Sequence, residues 1–69
     1  METKKVVVQG GGSNLFQVTH YNGIFSVYKV SVGIIFNNYQ SIGKTRRFEE
    51  ALSIIRSYSG HEIESIDAW

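Results

Sequence analysis

The sequence predicts a single small α+β domain in which an antiparallel β-meander of three to four strands packs against one helix in the C-terminal half. Two turn signals containing asparagine separate β-branched and aromatic runs, and the apolar spacing becomes helical after Phe48. A chain of 69 residues fits one domain, and a domain of this size buries only about 60% of the surface that its unfolded chain exposes. We therefore expect one domain over residues 1–69 with a thin core.

The N-terminal half contains the clearest strand signals. The run "KKVVVQ" predicts a first strand, and "GGGSN" after it predicts a loose connection. Asn22-Gly23 then separates "LFQVTHY" from "IFSVYKVSV", and Asn-Gly favours a two-residue hairpin because both of its positions tolerate the positive φ that the turn requires. In that hairpin Val27 lies opposite Val18, and Lys29 lies opposite Phe16.

A second two-residue turn is predicted at Asn37-Asn38, since asparagine enters the left-handed region more readily than other residues with a side chain. The meander then has strands at roughly 15–21, 24–36 and 39–46. Gly33 lies inside the long middle strand, where a glycine often marks a bulge or a bend. In this register Lys29 lies opposite Arg46.

The segment after the meander has the apolar spacing of an amphipathic helix. Its apolar side is formed by Phe48, Ala51, Leu52, Ile55 and Tyr58. Thr45 or Arg47 is expected to begin the helix, and Gly60 is the predicted stop. The tail from His61 to Trp69 fits either a short strand or a helical turn, and its spacing leaves both open.

The hairpin register divides the predicted sheet into two apolar faces. One carries Phe16, Val18, Phe25 and Val27, and we expect the helix to cover it. The second face carries Tyr21, Ile24, Tyr28 and Val30, and one helix cannot cover both faces. Because monomers seldom expose large apolar patches, this face is predicted to bind a second copy or another protein. The alternative is that Ile63, Ile66 and Trp69 fold back over it and leave a stable monomer.

A basic group suggests a different function. Lys29, Lys44, Arg46 and Arg47, beside exposed tyrosines, predict contact with nucleic acid if they share one surface of the sheet. They are otherwise an ordinary solvated strand end, and the net charge of +1 adds no general attraction for nucleic acid. The element order of "YNGIFSVYKV … GKTRRFEEALSII" resembles the three-strand-plus-helix plan of the arm-binding domains of phage-type integrases. This resemblance covers Leu15 to Tyr58 and implies that the sheet reads DNA.

The remaining motifs favour no catalytic function. Gly43-Lys44-Thr45 ends as a phosphate-binding loop does, but Asn38 occupies the position of that motif's first glycine, so we interpret the three residues as the end of the last strand. The chain has no cysteine, two histidines and no serine in a nucleophile elbow. We therefore expect no catalytic or metal site and no cofactor.

The function itself is not readable from the sequence. No segment has the pattern of a signal peptide or a membrane span, so we expect a cytoplasmic protein with neither a membrane nor a small-molecule partner. A small non-catalytic, self-associating interaction module ranks first. A sheet-based nucleic-acid binder ranks second, and an enzyme third.

Overall fold

The computed structural model describes residues 1–11 and 14–69, which form a five-stranded antiparallel sheet with one helix against one face. The elements are β1 (Glu2–Val8), β2 (Leu15–Tyr21), β3 (Ile24–Ser31), β4 (Asn38–Thr45), α1 (Phe48–Ser59) and β5 (Ile63–Ala68), and the sheet order is β4-β3-β2-β1-β5. The predicted α+β class is confirmed, with one strand more than expected. The predicted connection at "GGGSN" contains Gly12 and Ser13, which lie outside the described residues.

The hairpin between β2 and β3 has the predicted turn. Asn22 and Gly23 have φ values of 53° and 75°, and this left-handed backbone matches the twist of the strands on either side. Val18 lies opposite Val27, and Phe16 lies opposite Lys29, as the sequence predicts. Local turn chemistry therefore determined both the turn and the register.

The predicted turn at Asn37-Asn38 is wrong. β3 ends at Ser31, which pairs with Asn38, so residues 32–37 form a longer loop and Asn38 begins β4. Gly33 lies in this loop rather than in a strand, and a Cβ on it would collide with the backbone carbonyl of Phe36. The glycine thus permits a close approach within the loop, which a β-branched strand pattern does not reveal.

The helix covers the face that the sequence predicts. Arg47 is its N-cap, and Gly60 ends it in the left-handed conformation while its N–H donates to the Arg56 carbonyl at 2.8 Å. Ala51 and Ile55 are fully buried. They complete a core that also contains Val6, Val8, Phe16, Val18 and Val27.

The C-terminal segment is a strand, which settles the choice that the sequence leaves open. β5 pairs with β1 and places Ile63 opposite Val8 and Ile66 opposite Val6, on the helix side of the sheet. Ile63 packs against the core there. Because the register commits both isoleucines to this side, they do not cover the second face. Trp69 follows β5, and its N–H donates to the Thr3 carbonyl at 3.3 Å.

Candidate interaction surface

The second face is the side of the sheet that points away from α1. Its register confirms that Tyr21, Ile24, Tyr28 and Val30 share this side. They do not form one continuous patch, because the polar pair Thr19 and Ser26 separates the hairpin tip from the other end. Val30 exposes only 2% of its surface. Its side chain is therefore buried within the chain, which corrects the prediction that Val30 is exposed for contact with a partner.

A groove lies at the end of the second face farthest from the hairpin tip. It encloses about 490 Å³ and is lined by Lys5, Val7, Asn14, Leu15, Val30, Ser31 and Val32. Val7 lies opposite Leu15, so neighbouring strands form a continuous apolar floor. Lys5 supplies the charged side chain of the lining. The groove thus has an apolar floor and a mixed polar and apolar rim, and it borders the loop that follows β3.

That loop is the most exposed apolar segment of the described chain. Val32, Ile34, Ile35 and Phe36 each expose at least 70% of their surface, and we call these four residues the apolar loop. The sequence has no charged residue between Lys29 and Lys44. Sequence reasoning missed this surface because the same β-branched run was assigned to a strand. The glycine within it and the two asparagines after it were the available signals for a loop.

An aromatic contact spans the second face. The ring centroids of Tyr39 and Trp69 lie 6.3 Å apart, and the ring planes form an angle of 60°. Tyr39 belongs to one edge strand, and Trp69 directly follows the strand at the other edge. Trp69 lies opposite Thr3, on the second face. The monomer alternative expects Ile63, Ile66 and Trp69 to cover this face, and of these three residues Trp69 alone reaches it.

The four basic residues do not form one patch. Lys29 pairs with Gln40 instead of Arg46, and its Nζ lies 5.5 Å from the centroid of the Phe16 ring on the helix side. Lys44 pairs with Ser26, which places it on the second face. The predicted opposition of Lys29 and Arg46 is therefore wrong.

Arg46 and Arg47 lie between β4 and α1, close in sequence to an acidic helix start. The Thr45 hydroxyl donates to the Glu50 carboxylate at 2.9 Å and joins the strand end to the first helical turn. These arginines thus occupy the strand-to-helix connection rather than the open sheet. Contact between nucleic acid and individual basic residues stays a prediction.

A smaller cavity of about 350 Å³ lies on the helix side. It is lined by Glu2, Lys4, Val18, His20, Phe25 and Phe48. The His20 ring stacks on Phe25 with centroids 4.1 Å apart, which fits a histidine at the border of the core. Across residues 1–11 and 14–69, no three histidine or acidic side chains are grouped to hold a metal ion, and no helix has the length and apolarity to cross a membrane.

The comparisons with known proteins found no matching family, no matching curated protein and no matching solved structure. The residues that resemble the integrase plan in element order form the helix and three strands of a sheet that has five.

Proposed function

We propose that this protein is a small non-catalytic interaction module that forms a homodimer through the surface that includes the apolar loop. The observation that carries the proposal is the exposure of Ile34, Ile35 and Phe36 beside a groove with an apolar floor. Proteins that act as monomers rarely leave so contiguous an apolar surface in water.

The energy available from this surface supports dimerisation. Full burial of a large apolar side chain contributes on the order of 1.5–3 kcal/mol. A dimer buries both copies of Ile34, Ile35 and Phe36, and together these side chains offset an association cost of about 4–15 kcal/mol. The net charge of +1 per chain produces little repulsion between two copies.

The small core gives a second reason for self-association. Only seven residues of the described chain form the buried apolar core, and the sequence contains no cysteine for a disulfide. Small domains without disulfides or metals often gain stability from oligomerisation. Burial of the apolar loop would therefore stabilise the fold as well as the dimer.

Sedimentation equilibrium from low to hundreds of micromolar tests the proposal. We expect the unmodified chain to approach twice its mass of 7.8 kDa, and Ile35→Glu to return it to the monomer with unchanged circular dichroism. Ser53→Glu, at an exposed position of α1, is the matched control and should leave the dimer intact. A monomer at every concentration would overturn the proposal.

A sheet-based nucleic-acid binder is the second candidate. Lys5, Gln17 and Tyr28 form one row across the second face, and Lys44 lies on the same side. A cation beside a tyrosine ring suits a phosphate next to a stacked base. This row together with Lys44, rather than all four basic residues predicted from the sequence, is the surface on which to test the alternative.

A further inference from the structure

We infer that the two copies pair edge to edge through β4, in antiparallel orientation about a two-fold axis at Gln40, so that their sheets become one. This inference rests on the proposed self-association and specifies its geometry. β4 is an edge strand with β3 on one side, and no other strand of the described residues pairs with it. An edge of this kind offers unpaired backbone N–H and C=O groups to another strand.

The turn at Asn22-Gly23 determines which backbone groups point outward from β4. In a two-residue hairpin the flanking residues, Tyr21 and Ile24, form a hydrogen-bonded pair. The N–H and C=O groups of successive residues point to alternate sides of a strand. Those of Ile24 point to β2, so those of Lys29 and Ser31 point to β4. Their partners there are Gln40 and Asn38.

It follows that Gln40 and Asn38 direct their backbone groups towards β3. The alternating residues of β4, Tyr39 and Ser41, direct their N–H and C=O groups outward. On the open edge, Tyr39 and Ser41 therefore offer their backbone N–H and C=O groups, and Gln40 between them does not.

These outward groups are self-complementary. In an antiparallel pair centred on Gln40, Tyr39 of each copy aligns with Ser41 of the other, and both alignments are hydrogen-bonded pairs. Gln40 then lies opposite Gln40 of the second copy in a non-hydrogen-bonded pair. Because the arrangement is isologous, it closes at two chains.

The opposite edge of the sheet is less suited to pairing. β5 carries Glu64 and Asp67, and its register with β1 shifts between Val7 and Val8. Charged side chains and bulges are the usual protection of an edge strand. The residues of β4 from Asn38 to Ser41 carry no charge and pair with β3 in one unbroken register. β4 is therefore the open edge of the two.

The apolar loop joins the same seam. Phe36 precedes β4 by two positions, so antiparallel pairing places each loop beside the C-terminal half of β4 in the other copy. The unbroken register of β4 ends at the irregularity opposite Val27 and Tyr28, which keeps the paired segment short. The backbone pairing thus sets the geometry, and the groove, whose lining includes no residue of β4, stays outside the seam.

A single cysteine tests the alignment directly, because the chain has none of its own. Non-hydrogen-bonded partners have Cα atoms about 4.5 Å apart, within the range of about 4.4–6.8 Å that a disulfide requires. Gln40→Cys should therefore form a covalent dimer under mild oxidation. The control is Asp67→Cys, an exposed position on β5. We expect Gln40→Cys to crosslink roughly tenfold faster, since only its thiols meet this distance requirement.

Ser41→Pro tests the backbone hydrogen bonds. Proline is tolerated on an edge strand where its missing N–H faces outward, so the ladder with β3 should survive. Ser41→Thr keeps the N–H and is the matched control. Because the dimer is two-fold symmetric, Ser41→Pro removes one hydrogen bond donor from each copy. The substitution should therefore weaken the dimer by about tenfold or more.

The outcomes separate this inference from the proposal on which it rests. A dimer that resists Ser41→Pro, with Gln40→Cys crosslinking no faster than Asp67→Cys, would overturn the β4 seam and leave self-association standing. An unmodified chain that stays a monomer would overturn both. Should Ser41→Pro unfold the chain, the two crosslinking rates decide the question alone.

Discussion

The rings of Tyr39 and Trp69 meet at 6.3 Å although their strands lie at opposite edges of the sheet. In a flat sheet four strand spacings would separate the outer strands by about 19 Å. The contact therefore requires the sheet to twist and curl towards the second face. The aromatic pair joins two edges that share no backbone hydrogen bonds.

The Tyr39–Trp69 contact should contribute measurably to stability. We expect a coupling energy of about 0.5–1.5 kcal/mol between Tyr39→Leu and Trp69→Leu in a double-mutant cycle. Denaturant unfolding in the Ile35→Glu background measures it without a contribution from dimer dissociation. Strictly additive effects of the two substitutions would show that the pair does not stabilise the curled sheet.

Truncation of the helix face should destabilise the fold. Ile55 is fully buried and Leu52 is partly buried against the core, so Ile55→Ala and Leu52→Ala should each cost about 2–5 kcal/mol, with Leu52→Ala near the lower end. Ser53→Ala, on the exposed side, should change stability by less than about 0.5 kcal/mol. If Leu52→Ala cost no more than this control, the assigned helix face would be incorrect.

Tyr28→Glu separates a dimer from a monomer whose second face belongs to the core. Tyr28 is partly exposed on that face and pairs with Ser41 of the β4 edge, so a carboxylate there lies beside the proposed seam and should favour the monomer through repulsion between the two copies while the fold persists. Sedimentation and circular dichroism measure the two effects together. A monomeric unmodified protein that unfolds on Tyr28→Glu would assign the face to the core.

The nucleic-acid alternative predicts different effects for two lysines of the same meander. Lys44 lies on the second face and Lys29 on the helix side, so Lys44→Gln should weaken binding to single-stranded DNA and Lys29→Gln should not. Each lost phosphate contact reduces the slope of log affinity against log salt by about 0.7. Fluorescence anisotropy at several salt concentrations measures both quantities. No binding at low salt would remove this alternative.

Local signals in the sequence were sufficient for the first hairpin and for the helix. Asn22-Gly23 defined both a turn and a register, because its backbone preference acts over neighbouring residues. The helical spacing from Phe48 and the stop at Gly60 are local in the same sense. Since the register sorts side chains between faces, it also placed Tyr21, Ile24, Tyr28 and Val30 on one side.

The sequence by itself thus determined the α+β class, the first hairpin, the helix and the side on which the helix packs. Only the tertiary structure decided that residues 32–37 form a loop, that the tail becomes β5, and that Tyr39 reaches Trp69. A β-branched run forms a strand only where a neighbouring backbone accepts its hydrogen bonds. For β5 that neighbour is β1, which is distant in sequence, and no local pattern specifies such a partner.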